Sequence, residues 1–178
     1  MKKRILLITL LMPMLANAIE KAFTPTPTGT IEIKIIPEQH LLIAQQTETY
    51  FAANNSLFGK LFRYIKTHNI PMTTPVKAEM SPGKMGFYIN KKNHHKVFPE
   101  TAAIQPVIEP AYTVLSMGKR GGYSEKNFQE TRQKLIEHLA TLPEWQSAGK
   151  AYAAYWDGPY IPNFAKRFEV HIPIQPVP

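Results

Sequence analysis

The sequence of 178 residues contains no cysteine. Disulfide bonds, thiolate metal sites, a cysteine nucleophile and a lipid-modified N-terminal cysteine are therefore excluded. The chain also lacks a recognisable nucleophile motif, a phosphate-binding glycine loop and the ligand spacing of a zinc site. We therefore expect a fold that is stabilised by packing alone.

Long hydrophobic segments are scarce as well. An uninterrupted apolar or neutral run covers residues 5–15, well short of the roughly 20 residues that cross a bilayer. It follows basic residues 2–4 and precedes a small-residue site at 16–18, the pattern of a secretory signal peptide. We expect residues 1–18 to be removed after Ala18, which gives a periplasmic or secreted protein without stable membrane insertion. An uncleaved anchor is the weaker alternative.

Basic residues exceed acidic ones without forming long runs. The chain has 21 Lys and Arg against 13 Asp and Glu, and three of the basic residues lie in the predicted signal peptide. The mature formal charge is therefore +5, and no Lys/Arg run longer than two remains. This balance suits an anionic ligand or a membrane surface, and it argues against nucleic-acid binding.

The 160 residues after the predicted cleavage site suit a single domain. Residues 19–30 contain Pro25, Pro27 and Gly29 among threonines, which predicts a flexible leader. We expect the domain itself to cover residues 31–178.

Hydrophobic periodicity predicts strands followed by a helix in the first half of this domain. Isoleucines alternate with charged residues over 31–35, which predicts a strand with one buried face, and residues 41–44 predict a more buried strand. Apolar residues then recur at helical spacing over 51–65. Asn69 and Pro71 end this helix, after which the chain is expected to enter further strands.

The second half repeats this order. Residues 35–43 lie over 107–115 at a constant offset of 72, with hydrophobic residues on hydrophobic residues and a turn on a turn. A second helix follows and ends at Pro143, and strands are expected over 152–156 and 168–174.

This repeat predicts an α+β fold. Two related strand-strand-helix-strand units, about 31–90 and 103–174, are expected to pack as one domain. The groove where the two units meet is the natural place for a ligand.

Few side chains offer chemistry. His94 and His95 are the most metal-like pair, but neighbouring residues on a strand point to opposite faces, so a solvated loop is the preferred interpretation and no metal site is predicted. Glu169 lies in a predicted strand. It is either buried and functional, or exposed and paired with Lys166 or Arg167.

Several motifs together resemble the SOUL haem-binding protein family. The first is an aromatic helix motif over 58–65 that ends at Asn69 and is followed by Met-Thr-x-Pro-Val at 72–76. The remaining landmarks, in the expected order, are Gly121-Gly122-Tyr123, Tyr155-x-Asp157-x-Pro159 and Arg167-x-Glu169-Val170. The resemblance covers residues 31–174.

The resemblance implies a duplicated α+β domain in which two helices pack on a strongly curved antiparallel sheet, similar also to gyrase-inhibitor-like effector-binding domains. It further implies non-catalytic binding of haem or a related tetrapyrrole in an apolar depression along the first helix. The implied site residues are Asn55, Phe58, Phe62 and Arg63 on the helix, and Tyr160, Ile161 and Phe164 in the loop after the Tyr-x-Asp-x-Pro landmark. A flat macrocycle needs apolar contacts for its faces, and its propionates need a cation such as Arg63.

Other interpretations stay open. Phe58 and Phe62 can equally face the core, since helical spacing alone allows both orientations. No histidine falls on the apolar stripe of this helix, so we expect iron to contribute little to binding unless His40 or His68 approaches from a neighbouring element. The alternatives for function are a module that binds another amphipathic molecule between the two units, a small-molecule hydrolase with Glu169 as general base, and a structural or interaction role.

Overall fold

Nine strands and two α-helices follow one another along residues 19–178, the part of the chain that the computed structural model describes. The predicted signal peptide, 1–18, lies outside the described residues. The elements are β1 (Ile31–Ile36), β2 (Gln39–Gln45), α1 (Leu57–Thr67), β3 (Val76–Glu79), β4 (Lys84–Tyr88), β5 (Gln105–Glu109), β6 (Tyr112–Arg120), α2 (Glu125–Leu139), β7 (Trp145–Ser147), β8 (Tyr152–Tyr155) and β9 (Arg167–Pro176).

The strands form one curled antiparallel sheet. Their order is β1-β6-β9-β8-β3-β4-β2-β5, and β7 pairs with β9 outside this path. Strands of the two halves pair at three places, β1 with β6, β2 with β5 and β3 with β8. The predicted α+β fold with two helices on an antiparallel sheet is confirmed, whereas the duplication of two units stays a prediction.

Both helices cover the same face of the sheet. Helix α1 packs on β2 and β4, and α2 packs on β6 and β9. The side chains that α1 buries are Leu57, Leu61, Tyr64 and Ile65. Asn69 adopts a left-handed conformation (φ 51°) directly after α1, as its sequence position predicts. Phe128, Thr131 and Leu135 are the residues that α2 buries.

The buried and exposed sides of β1 are the reverse of those that the sequence pattern predicted. Ile35 is 69% exposed and Ile33 is 40% exposed, whereas the Lys34 side chain is only 14% exposed. The reason is that β1 is an edge strand, and its charged side faces polar partners on the side of the sheet that carries no helix.

Residues 19–30 supply a cover for this helix-free face. The backbone N–H of Ala22 donates to the Thr74 carbonyl (2.8 Å), and that of Gly29 donates to the Gly118 carbonyl (2.8 Å). A Cβ at Gly118 would overlap the carbonyl oxygens of this segment, so only glycine allows the approach. The structure thus differs from the expected flexible leader, because these backbone contacts join residues distant in sequence.

Among residues 19–178, no helix is long and apolar enough to cross a membrane.

Candidate ligand-binding surface

Helix α1 exposes two phenylalanines. Phe58 and Phe62 are each 41% exposed, and their rings lie almost parallel, with centroids 5.8 Å apart and planes inclined by 14°. Phe58 also packs edge-on against Phe87 of β4, at 5.3 Å between centroids. The interpretation that places both phenylalanines in the core does not hold, since Leu57, Leu61, Tyr64 and Ile65 fill the core side of the helix.

The rest of this helix surface is open and basic. A Cβ added at Gly59 would meet no neighbouring atom within 4 Å, so the surface beside Phe58 is free of bulk. Arg63 is exposed, and the Lys66 ammonium lies 5.5 Å from the centre of the Phe62 ring. Sequence reasoning identified Arg63 but missed Lys66 and Gly59. Their spacing of four and three residues from Phe62 was the available signal, because such residues share a helix face.

The Asn55 side chain stabilises the turn that precedes α1. Its amide nitrogen donates to the Tyr50 carbonyl (2.5 Å), and its side-chain oxygen accepts from the Leu57 backbone N–H (3.1 Å). Both ends of the amide are therefore used to shape the turn before the helix, which gives Asn55 a structural role beside the surface.

The loop between β8 and β9 exposes the other three residues of the implied site. Tyr160 is 95% exposed, Phe164 is 82% exposed and Ile161 is 40% exposed. Contiguous exposed apolar patches, rather than single exposed residues, mark binding sites. All three side chains are therefore accessible to a ligand.

The base of this loop is held by a clamp. Arg167 donates to both oxygens of Asp157, at 2.6 Å and 3.0 Å, and hydrogen bonding from Arg167 lowers the pKa of Asp157. The Tyr123 hydroxyl accepts from the Asp157 backbone N–H (2.8 Å). The family landmarks around these three residues thus close the loop that carries Tyr160 and Phe164.

Glu169 lies at the centre of the helix-free face, and only 1% of its surface is exposed. Five donors reach its carboxylate: Thr26 N (2.9 Å), Trp156 Nε1 (2.7 Å), Lys34 Nζ (2.6 Å), Ser116 Oγ (3.1 Å) and His171 Nε2 (2.7 Å). A carboxylate offers about four lone-pair directions. The hydrogen-bonding capacity of Glu169 is therefore fully used.

The ionisation of this cluster follows from its contacts. Burial alone would raise the pKa of Glu169, but His171 and Lys34 outweigh burial and lower it. Burial lowers the pKa of His171 more than the Glu169 carboxylate raises it, so His171 is neutral at pH 7. An ionised, saturated carboxylate with a lowered pKa is poorly suited to act as general base, which weighs against the hydrolase alternative.

A chain of hydrogen bonds continues from His171. With its Nε2 proton donated to Glu169, the Nδ1 atom of His171 accepts from the Tyr152 hydroxyl (2.8 Å), which in turn lies 2.7 Å from the Tyr112 hydroxyl. Phe23 of the N-terminal segment packs beside this chain, 5.4 Å from the Trp156 ring. The helix-free face around Glu169 is thus packed with the protein's own side chains.

The histidines do not form a metal centre within residues 19–178, where no group of three or more potential ligands occurs. His40 and His94 stack face to face, 4.1 Å apart and inclined by 6°. The lone pair of an imidazole lies in the ring plane, so two stacked rings do not converge on one ion. His68 bonds to the Tyr64 carbonyl (2.9 Å) at the end of α1.

The sequence model of one family matches residues 19–173 and describes the SOUL heme-binding protein. The chain belongs to the SOUL heme-binding protein family. The matched residues include both helix α1 and the loop after β8. The chain matches no curated protein sequence.

Solved structures show the same fold. The C-terminal domain of EcmrR is 13% identical, with a TM-score of 0.67 over 83% of this chain and 98% of that domain. The EcmrR chain in a complex with DNA is 13% identical, with a TM-score of 0.68 over 83% of this chain. The match spans only 58% of the length of that EcmrR chain. A hydrolase from Listeria innocua is 12% identical, with a TM-score of 0.56 over 84% of this chain and 94% of that one. These identities show a shared fold alone.

Proposed function

We propose that this SOUL-family protein binds haem or a related tetrapyrrole without covalent attachment and without catalysis. The binding surface is the exposed side of α1, bordered by the loop after β8. The observation that carries the proposal is the parallel, half-exposed pair Phe58 and Phe62, in a chain whose family model describes a heme-binding protein.

The residues present fit such a ligand. A flat macrocycle is matched by two nearly parallel phenyl rings and by the open surface at Gly59. Its propionates are matched by Arg63 and Lys66 on the same side of the helix, since paired cations favour carboxylates at a partly apolar surface. Glycine inside a helix costs about 0.5–1 kcal/mol relative to alanine, and space for a ligand is a reason to keep it.

The loop residues Tyr160, Ile161 and Phe164 are assigned to the second border of the surface. Their exposure is large, and the clamp between Asp157 and Arg167 fixes the loop that presents them. Ligand binding would shield these side chains from water, which offsets the cost of exposing them in the free protein.

Absorbance titration with haem tests the proposal. Saturable binding is expected for the wild-type protein, and the paired replacement Phe58→Ser with Phe62→Ser is expected to abolish it. Ile35→Ser is the matched control, because Ile35 is an exposed apolar residue on the edge strand, away from α1. Equal binding by all three proteins would overturn the assignment of this surface.

We also propose that the chain is exported and cleaved after Ala18. Mass spectrometry of the protein recovered from a secreting host is expected to give Ile19 as the first residue. Recovery of intact Met1 in the membrane fraction would contradict export with cleavage.

A further inference from the structure

A cleft of about 790 Å³ lies between α2 and the sheet, away from the surface of α1. Ligand pockets in proteins commonly have volumes of roughly 300–1,000 Å³, so this cleft has the size of a small-molecule site. Neither the family landmarks nor the proposed tetrapyrrole surface includes its residues.

The floor of the cleft is apolar. Phe128 of α2 and Ile172 of β9 are both buried and line it. Arg132 and Ile136 follow Phe128 at intervals of four residues, so the three side chains share one side of α2. The helix therefore presents an apolar stripe interrupted by one cation.

Two connections form the opposite wall. Met80 and Ser81 come from the turn between β3 and β4, and Lys150 comes from the segment between β7 and β8. The Lys150 ammonium donates to the Ser81 carbonyl (3.2 Å), which ties the two connections together and leaves its charge at the rim.

The rim carries an excess of positive charge. Arg132 is exposed and lines the cleft. Among residues 19–178, Glu79 is the one acidic residue that lines the cleft, and its carboxylate already lies 3.4 Å from the Lys77 ammonium and 3.5 Å from that of Lys84. Two lining cations thus face one carboxylate that is paired elsewhere.

We propose that this cleft is a second ligand site, which takes an amphipathic carboxylate. The apolar body lies against Phe128 and Ile172, and the carboxylate pairs with Arg132, whose planar fork suits two carboxylate oxygens. A long-chain fatty acid and a propionate-bearing tetrapyrrole share this chemistry. The site shares no residue with the surface of α1. It can therefore be tested independently of the proposed function.

Calorimetric titration with palmitate and with protoporphyrin IX distinguishes the two sources. At least one of them is expected to bind the wild-type protein in a manner that Arg132→Glu weakens by at least about tenfold. Lys134→Glu is the matched control, since it makes the same charge change at an exposed position of α2 outside the cleft. Its titrations are expected to overlay those of the wild type.

A second variant tests the cleft by volume. Gln129 is exposed and lines the cleft, so Gln129→Trp is expected to fill the cleft and to abolish the Arg132-dependent binding while thermal unfolding is unchanged. If these variants weaken the binding of palmitate alone, the cleft is assigned to lipid carboxylates. If they weaken the binding of protoporphyrin IX, it is assigned to tetrapyrroles. Binding of neither probe, equal effects of Arg132→Glu and Lys134→Glu, or undiminished binding by folded Gln129→Trp would overturn the proposal.

Discussion

Phe58 and Phe62 lie one helical turn apart on the exposed side of α1, with ring centroids 5.8 Å apart and planes inclined by 14°. Phe58 is braced by Phe87 of the sheet, and Phe62 lies beneath the Lys66 ammonium. The two rings therefore form a fixed apolar platform with a basic border. Such a platform suits a flat ligand that carries negative groups at one edge.

Replacement of the rim cation tests the charge of this platform. Arg63→Glu puts an anion where propionates are expected, and a charge-assisted contact contributes roughly 1.5–3 kcal/mol. We expect at least about a tenfold loss of haem affinity, measured by absorbance titration. Lys134→Glu on α2 serves as the control with the same charge change. If the titrations of folded Arg63→Glu and wild type overlay, Arg63 lies outside the site.

Two substitutions at Gly59 test protein stability and haem binding separately. Gly59→Ala is expected to raise the free energy of unfolding by about 0.5–1 kcal/mol, because glycine is a poor helix former. Gly59→Leu also favours the helix but adds bulk to the platform, so we expect at least about tenfold weaker haem binding, or 1.4 kcal/mol. Urea unfolding and haem titration of both variants check this. Full affinity in a stabilised Gly59→Leu protein would exclude ligand contact at this position.

The buried pair of Glu169 and Lys34 makes a prediction about stability. Glu169→Gln removes the charge that faces the Lys34 ammonium at 2.6 Å. Removal of one partner from a buried ion pair commonly costs about 3 kcal/mol or more. Urea unfolding is expected to show this loss, whereas Glu100→Gln at an exposed position should change stability by less than about 0.5 kcal/mol. Similar midpoints for the two variants would show that the pair contributes little.

The same cluster predicts how stability depends on pH. Burial lowers the pKa of His171 below its ordinary value of 6.5, so the unfolded chain takes up this proton first and stability falls as the pH drops below 6.5. Glu169 also has a lowered pKa, so its contribution is complete above about 4.5 and is lost as the pH falls through the folded-state value.

Urea unfolding between pH 7 and pH 3 checks both signs. The free energy of unfolding is expected to decrease throughout this interval. His171→Gln should flatten the decrease between pH 6.5 and 5, whereas His138→Gln, at an exposed position of α2, should leave it as in the wild type. Identical pH profiles for the two variants would show that His171 is not the group responsible.

Local sequence patterns predicted the helices and strands more accurately than they predicted the contacts between them. Helix α1 ends where Asn69 and Pro71 stop a helical pattern, because the end of a helix depends on neighbouring residues. Its start was misplaced by several residues, since Asn55 sets it through hydrogen bonds within a turn. Strand β7 was missed because three residues are too few to show a period.

Long-range contacts explain the remaining differences. Alternation over 31–35 gave the correct strand but the wrong buried side, because Lys34 finds Glu169 at a sequence separation of 135 residues. The packing of residues 19–30 depends on Gly118 in the same way. Hydrophobic periodicity contains no information about such partners. On α1, spacing could not decide whether Phe58 and Phe62 were buried, since Phe58 lies at the border of the buried side.

Fluorescence-quenching titrations of the wild-type protein with haem and with iron-free protoporphyrin IX test the central claim most directly. The platform on α1 offers ring contacts and cations but no histidine, and His40 and His68 are engaged in stacking and at the helix end. We predict saturable binding of both ligands, with affinities within about tenfold, or 1.4 kcal/mol, of each other. Failure of both ligands to bind would contradict the account, as would much tighter haem binding with a spectrum altered by His40→Ala or His68→Ala.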